Sequence, residues 1–164
     1  MKSVVIADAS PLIGLWGIDK LSIIFKLFSK VIIPKAVADE CLVDPARPGA
    51  VAIAKAVRGK KIQIDLSHKS ESLSEMLVVL DKGEAHAISL AHALNLPLVI
   101  DEKLGRGIAK ELGVKIIGTI GILLLAKQKG IIKKIKPILD ELKNGHYFLS
   151  DALIKDVLQR AKEK

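Results

Sequence analysis

The chain has 164 residues, half of them hydrophobic but only 3% aromatic, with a formal net charge of +8. That length suits one domain with a core of Leu, Ile, Val and Ala, and the interleaved charges exclude a low-complexity or disordered chain. The single cysteine, Cys41, cannot staple a fold, and the uncharged apolar stretch Ile116 to Ala126 is too short to cross a bilayer.

No basic-then-apolar signal peptide opens the sequence, so the expectation is an intracellular, cytoplasmic protein. The basic excess is uneven. Residues 127–164 carry ten Lys or Arg against five Asp or Glu, while residues 1–126 carry sixteen against thirteen. Such a tail attracts phosphate backbones, although a Lys- and Ile-rich helix also solvates a surface or marks heat adaptation.

In chain order, VVIA (4–7) has the continuous apolar character of a buried strand, and LIGLWGIDKLSIIFKLF has the periodicity of a helix. VII (31–33) predicts a second strand, with Pro34 in the first turn of the next helix. VDPARPG (43–49) is a loop, residues 51–57 a helix and IQI (62–64) a strand. Helical periods follow in SLSEMLVVL and EAHAISLAHAL. LPLVI (96–100) predicts a strand, GIAKELG a helix and VKII (114–117) another strand. From Thr119 all periods are helical, broken at Gly130 and Gly145, and Leu15, Trp16 and Ile18 are expected in the core. Alternating strands and helices predict a parallel sheet flanked by helices, with the functional crevice at the carboxyl ends of its strands.

Two aspartates occupy those ends: Asp8 directly after VVIA and Asp101 directly after LVI. Either one alone is also a common helix cap, Asp8 together with Ser10. Two glutamates fall on apolar helix stripes. Glu40 lies in line with Ala36 and Val37, while its neighbour Asp39 shares the opposite face with Lys35. Glu84 lies in line with Ala87, Ile88 and Ala91, although a first-turn acid is also favoured by the helix dipole. Four acids converging on one place repel one another unless a cation joins them, and an all-carboxylate donor set selects Mg²⁺ or Mn²⁺ over zinc. A metal so held activates water and neutralises charge on phosphate oxygens, which is the chemistry of phosphodiester hydrolysis.

Taken together, VVIADASPLI, VIIPKAVADE, LDKGEAHAISLA, LVIDEKLGR and VKIIGTIGILLLAKQKG resemble the PIN-domain family, in the branch with a DASPLI start that is related to the toxins of toxin–antitoxin pairs. The resemblance implies a three-layer α/β/α fold with a central parallel sheet over residues 1–130. With it comes the expectation of a C-terminal helical extension, residues 131–164, packed on the same domain. It implies an Mg²⁺- or Mn²⁺-dependent endoribonuclease leaving a 5′-phosphate and a 3′-hydroxyl, with Asp8, Glu40, Glu84 and Asp101 as catalytic and metal-binding residues. Ser10 then lies near the metal, and Arg106 either meets a phosphate or pairs with Glu102. A homodimer and a small antitoxin protein are the implied partners. The chain departs from the family pattern at Glu84, where aspartate is common, and at Val99, where Ser or Thr often precedes the last acid. The competing reading is a non-catalytic PIN-like module that binds RNA or protein. Other chemistries lack their residues: there is no G-x-x-x-x-G-K-[ST] loop, no G-x-S-x-G elbow and no H-E-x-x-H, and His68, His86, His92 and His146 are not spaced as a metal pair.

Overall fold

A computed structural model describes residues 3–145 and 149–164, so His146 lies outside the described residues. Five strands form one parallel sheet: β1 (Ser3–Ala7), β2 (Phe28–Pro34), β3 (Ile62–Asp65), β4 (Leu98–Val99) and β5 (Ile116–Ile117), in the order β3-β2-β1-β4-β5. Residues 4–7, read as one continuous apolar run, are central in this order and flanked by strands on both sides. Parallel strands enclosed by helices carry apolar side chains on both faces, as this run does. Val5, Ile6, Val31, Ile33, Leu98 and Val99 are fully buried. Ile6 faces Ile32 on one side and Leu98 on the other, and Val99 faces Ile117.

Among the described residues ten helices surround the sheet, completing the three layers. They are α1 (Ala9–Gly17), α2 (Ser22–Leu27), α3 (Lys35–Leu42), α4 (Ala50–Arg58), α5 (Leu73–Val79), α6 (Lys82–Leu94), α7 (Lys103–Glu111), α8 (Thr119–Gln128), α9 (Lys136–Asn144) and α10 (Asp151–Arg160). Helix α6 packs on β1, β2 and β4, while α2 packs on β2 and α8. Among the described residues no helix is long and apolar enough to cross a membrane.

Three local readings change. The helix expected after Leu12 is two helices, because Asp19 adopts φ 57 and the amides of Asp19 and Lys20 close back on the carbonyls of Trp16 and Leu15 at 2.9 and 2.8 Å. That is a left-handed helix stop made without glycine at the turn itself. Trp16 is not core: it is 41% exposed, whereas Leu15 and Ile18 are buried. Helix α7 starts at Lys103 rather than Gly107, because the Glu102 carboxylate accepts the Gly105 amide at 2.7 Å and caps the first turn.

The residues after Gly130 share the core. Ile135, Ile138, Leu139, Leu142 and Val157 belong to the same buried apolar cluster as the sheet. Glu163 fastens them: its carboxylate accepts the Lys127 ammonium at 2.6 Å and the Ile135 amide at 2.7 Å. Although burial pushes the Glu163 carboxyl up, those donors and the Lys136 amide hold it below its usual range.

Candidate active site

Parallel pairing brings the carboxyl ends of β1, β4 and β5 level with one another. The Asp8 amide donates to the Val99 carbonyl at 3.0 Å, and the Ile100 amide donates to the Ile117 carbonyl at 3.1 Å. Asp8, Asp101 and Thr119 therefore emerge side by side where the strands stop.

Asp8 is only 3% exposed. It stands at the N-cap position of α1, yet its side chain makes no capping hydrogen bond, so capping does not account for a carboxylate there. Burial pushes its carboxyl up to about 7; the Ala9 amide pulls the other way, and Glu40, Asp81 and Asp101 add to the rise. Ser10 is exposed at the surface of α1.

Gly83, in the first turn of α6, marks where the acids meet. The position a Cβ would take there is 3.3 Å from Glu40 Oε2, 3.6 Å from Asp81 Oδ1 and 3.8 Å from Asp8 Oδ1. Glycine leaves that space to three carboxylates from β1, α3 and the α6 cap. Asp81 is the acid that sequence reasoning missed. Its place before Lys82-Gly83 reads as an ordinary turn, and it does cap α6, accepting the Glu84 amide at 2.8 Å. Its carboxylate also faces the other acids. Burial, followed by the charges of Asp81, Asp8 and Glu102, raises Glu84 to about 7; a hydrogen bond to Asp81, made when a proton lies between the two, adds to this.

Glu40 corrects the stripe reading, because it is exposed at the edge of α3 rather than buried along it. Its carboxyl is nevertheless raised, by partial burial and by Asp81, against the pull of Arg47. Asp39 behaves as its face requires and meets Lys35 at 2.8 Å. The buried Cys41 thiol is pushed up to about 11 by burial and by the nearby charges of Glu40 and Asp8.

Asp101 is held differently. Thr119 donates to it twice, from the amide to Oδ1 at 2.8 Å and from the hydroxyl to Oδ2 at 2.7 Å. Val99 is buried and apolar, yet Asp101 has a hydroxyl partner from the neighbouring strand end. Arg106 makes no ion pair with Glu102 among the described residues, since Glu102 caps Gly105. Arg106 instead lies over Gly118. A Cβ there would stand 2.8 Å from its Nη1 and 3.1 Å from Asp101 Oδ1, so guanidinium and carboxylate flank one glycine.

The donor set is carboxylate throughout, which suits a hard divalent cation, and the crowding of like charges is what such a cation relieves. Among the described residues, no three His, Cys, Asp or Glu groups already stand close enough to form a coordination sphere. Asp8, Glu40 and Asp81 thus gather round Gly83 as an open cluster, Asp8 buried and the other two exposed.

A family model described as PIN domain matches residues 4–163. No curated protein matches the chain. Among solved structures, a PilT N-terminus domain protein from the hyperthermophilic archaeon Sulfolobus solfataricus P2 is similar at 18% identity. The match covers 73% of this chain and 89% of that one, with a TM-score of 0.49. A domain of a functionally unknown protein from Methanocaldococcus jannaschii DSM 2661 is similar at 17% identity, covering 71% and 90%, with a TM-score of 0.47.

Proposed function

The chain belongs to the PIN-domain family, whose members are generally nucleases, and we propose that it is a cytoplasmic Mg²⁺- or Mn²⁺-dependent endoribonuclease. Asp8, Glu40, Glu84 and Asp101 hold the cation in this reading, with Asp81 beside them. The observation that carries it is the company of Asp8: a buried carboxylate, uncapped, with Glu40 and Asp81 turned toward the same glycine. Uncompensated, that arrangement costs free energy through desolvation and like-charge repulsion. A bound divalent cation supplies the compensation, and with it the polarisation of a phosphoryl oxygen and of a water.

The chain's own residues do the rest. Asp8 sets a fixed point at the end of β1. Thr119 fixes both oxygens of Asp101, so that this carboxylate presents one orientation to whatever it binds. One of the clustered carboxylates takes the proton from the attacking water. Arg106 offers a guanidinium to a phosphate oxygen one glycine away from Asp101. Water attacks phosphorus, the P–O3′ bond breaks and the 3′-oxygen leaves as a hydroxyl, so the ends are the 5′-phosphate and 3′-hydroxyl that the family resemblance implies.

Residues 1–130 form the nuclease unit in this reading and residues 131–164 its extension. The toxin role, with a small antitoxin protein as partner, follows from the resemblance of the DASPLI branch. A homodimer finds support in Leu77, Val78 and Val79, large apolar residues exposed on α5. The deciding experiment is Mg²⁺-dependent cleavage of a mixed RNA pool by the wild type and by Asp8→Asn. Cleavage lost on chelation and in the variant supports the reading. RNA binding that survives chelation without any cleavage identifies a binding module instead.

A further inference from the structure

Helix α4 buries Ile53 completely and leaves a second face toward α2. Ala52 and Ala56 on that face, with Leu21 and Phe25 opposite, line an open groove of about 510 Å³. Small side chains on one wall keep it open. Lys55, Arg58 and Lys61 stand around it, and no acid is among its lining residues. Lys61 Nζ lies 5.6 Å from the centroid of the Phe25 ring. Among the described residues none of these three cations joins an ion pair. Lys61 directly precedes β3, so the groove lies at the opposite end of the sheet from the acid cluster.

The converse surface is on α5 and α7. Met76 is the buried residue of α5, and the helix leaves Leu77, Val78 and Val79 exposed, Val78 by 83%. Glu75 and Glu111 stand beside them, and with Val79, Ile108 and Leu112 they line a recess that no cation enters. Glu75 and Val78, three residues apart, share a face of α5. Neither acid is in an ion pair among the described residues. Three consecutive apolar residues facing water cost free energy that a partner surface recovers.

The two surfaces are complementary. Each is apolar, and each carries unpaired charges of a single sign, positive on the groove and negative on α5 and α7. Two copies meeting α5 to α5 would set Glu75 and Glu111 against the same acids, and like charges disfavour such a contact. We propose that the groove receives α5 of a second copy of this chain, with Val78 and Val79 between α2 and α4 and with Glu75 and Glu111 against Lys55, Arg58 and Lys61. The inference is independent of the nuclease reading. It makes self-association a contact between unlike faces, of which a dimer is the first step and a ring or a chain the extension.

Sedimentation equilibrium of the full-length protein at several concentrations tests this, using two variants at exposed positions. Arg58→Glu spoils the groove and leaves α5 intact, whereas Val78→Lys spoils α5 and leaves the groove intact. The wild type is expected to associate as concentration rises, and each variant alone to associate about tenfold or more weakly. An equal mixture of the two variants still holds one good groove and one good α5. It is expected to form a one-to-one pair at wild-type strength. A mixture no tighter than its components, with the wild type still associating, overturns the contact between unlike faces. A variant that associates as the wild type does also overturns it, as does a wild type that stays monomeric throughout. In that last case, NMR shifts at Phe25 and Ala56 on adding single-stranded RNA or an acidic amphipathic peptide identify the other occupant. If Val78→Lys misfolds, Glu75→Lys replaces it, with the same outcomes expected.

Discussion

Thr119 holds Asp101 by both carboxylate oxygens, through its amide at 2.8 Å and its hydroxyl at 2.7 Å, and is itself fully buried. Hydrogen-bonded partners of this kind orient a metal-binding carboxylate, and their loss typically costs about 10–100-fold in metal affinity or activity. Thr119→Val keeps the shape and the amide bond but removes the hydroxyl. The expected outcome is a fall of that size in Mn²⁺ affinity by calorimetry, with a stability loss of about 1–2 kcal/mol. Thr119→Ser restores the affinity. A variant that loses stability without any change in Mn²⁺ affinity gives Thr119 a purely structural role.

The acid cluster makes the metal-free protein sensitive to pH in a direction opposite to ordinary acid denaturation. Folded Asp8 keeps its proton up to about 7, against 3.8 for the free side chain. Between those values the folded chain binds more protons than the unfolded one, so raising the pH across this window weakens the fold. For Asp8 the effect is at most about 4 kcal/mol. Thermal melts in chelator are expected to give a lower Tm at pH 8 than at pH 5, with Mg²⁺ recovering the loss at pH 8. Asp8→Asn flattens the profile and abolishes cleavage. A Tm that climbs steadily from pH 5 to pH 8 in chelator contradicts the assignment.

Asp81 combines a capping bond with a charge directed at the other acids, and a single substitution separates the two. Asparagine retains the acceptor for the Glu84 amide, now at 2.8 Å. Asp81→Asn is therefore expected to hold its Tm at pH 5 while the Glu84 carboxyl titrates lower, as NMR would record, because the neighbouring charge is gone. Divalent-ion affinity falls. An unchanged Glu84 titration would remove Asp81 from the cluster.

Gly118 has an ordinary φ of −90°, so alanine is conformationally acceptable there. What its methyl meets is the tip of Arg106 at 2.8 Å and Asp101 Oδ1 at 3.1 Å. Gly118→Ala displaces the flexible guanidinium. The expected result is near-wild-type stability with reduced RNA affinity, read by fluorescence anisotropy at two salt concentrations. RNA affinity equal to the wild type would show that Arg106 has no contact to lose.

Glu163 gathers donors from Lys127, Ile135 and Lys136 onto one carboxylate. With its titration held below the usual range, its contribution is complete above the unfolded value near 4.5 and is lost as the pH falls. Glu163→Gln is expected to lower Tm at pH 7 and to narrow the difference from wild type at pH 4. A constant difference across that range would show that the charge is not what matters.

The strands themselves and the two strand-end aspartates were legible because continuous apolar runs and the acids directly after them depend only on local sequence. The remainder depended on contacts across strands and helices. Thr119 meets Asp101 over 18 residues of separation, and nothing around either residue announces the pair. Asp81 was hidden by its own cap, which explains an acid before a helix too well. Glu40 was read from helix periodicity, but it is exposed at the edge of a stripe whose next residue, Cys41, is buried. Trp16 follows the same apolar run as Leu15, yet it is 41% exposed, which the run itself does not signal.

Helix α8 begins at Thr119 and carries Lys127 near its other end. Ten residues of helix span about 15 Å. One end of this rod sets the angle of Asp101, and the other is tied through Glu163 to the last helices. The acidic centre and the tail are therefore mounted on a common strut. Slackening Glu163 should register as faster amide hydrogen exchange at Thr119, far from the substituted residue and before any global unfolding.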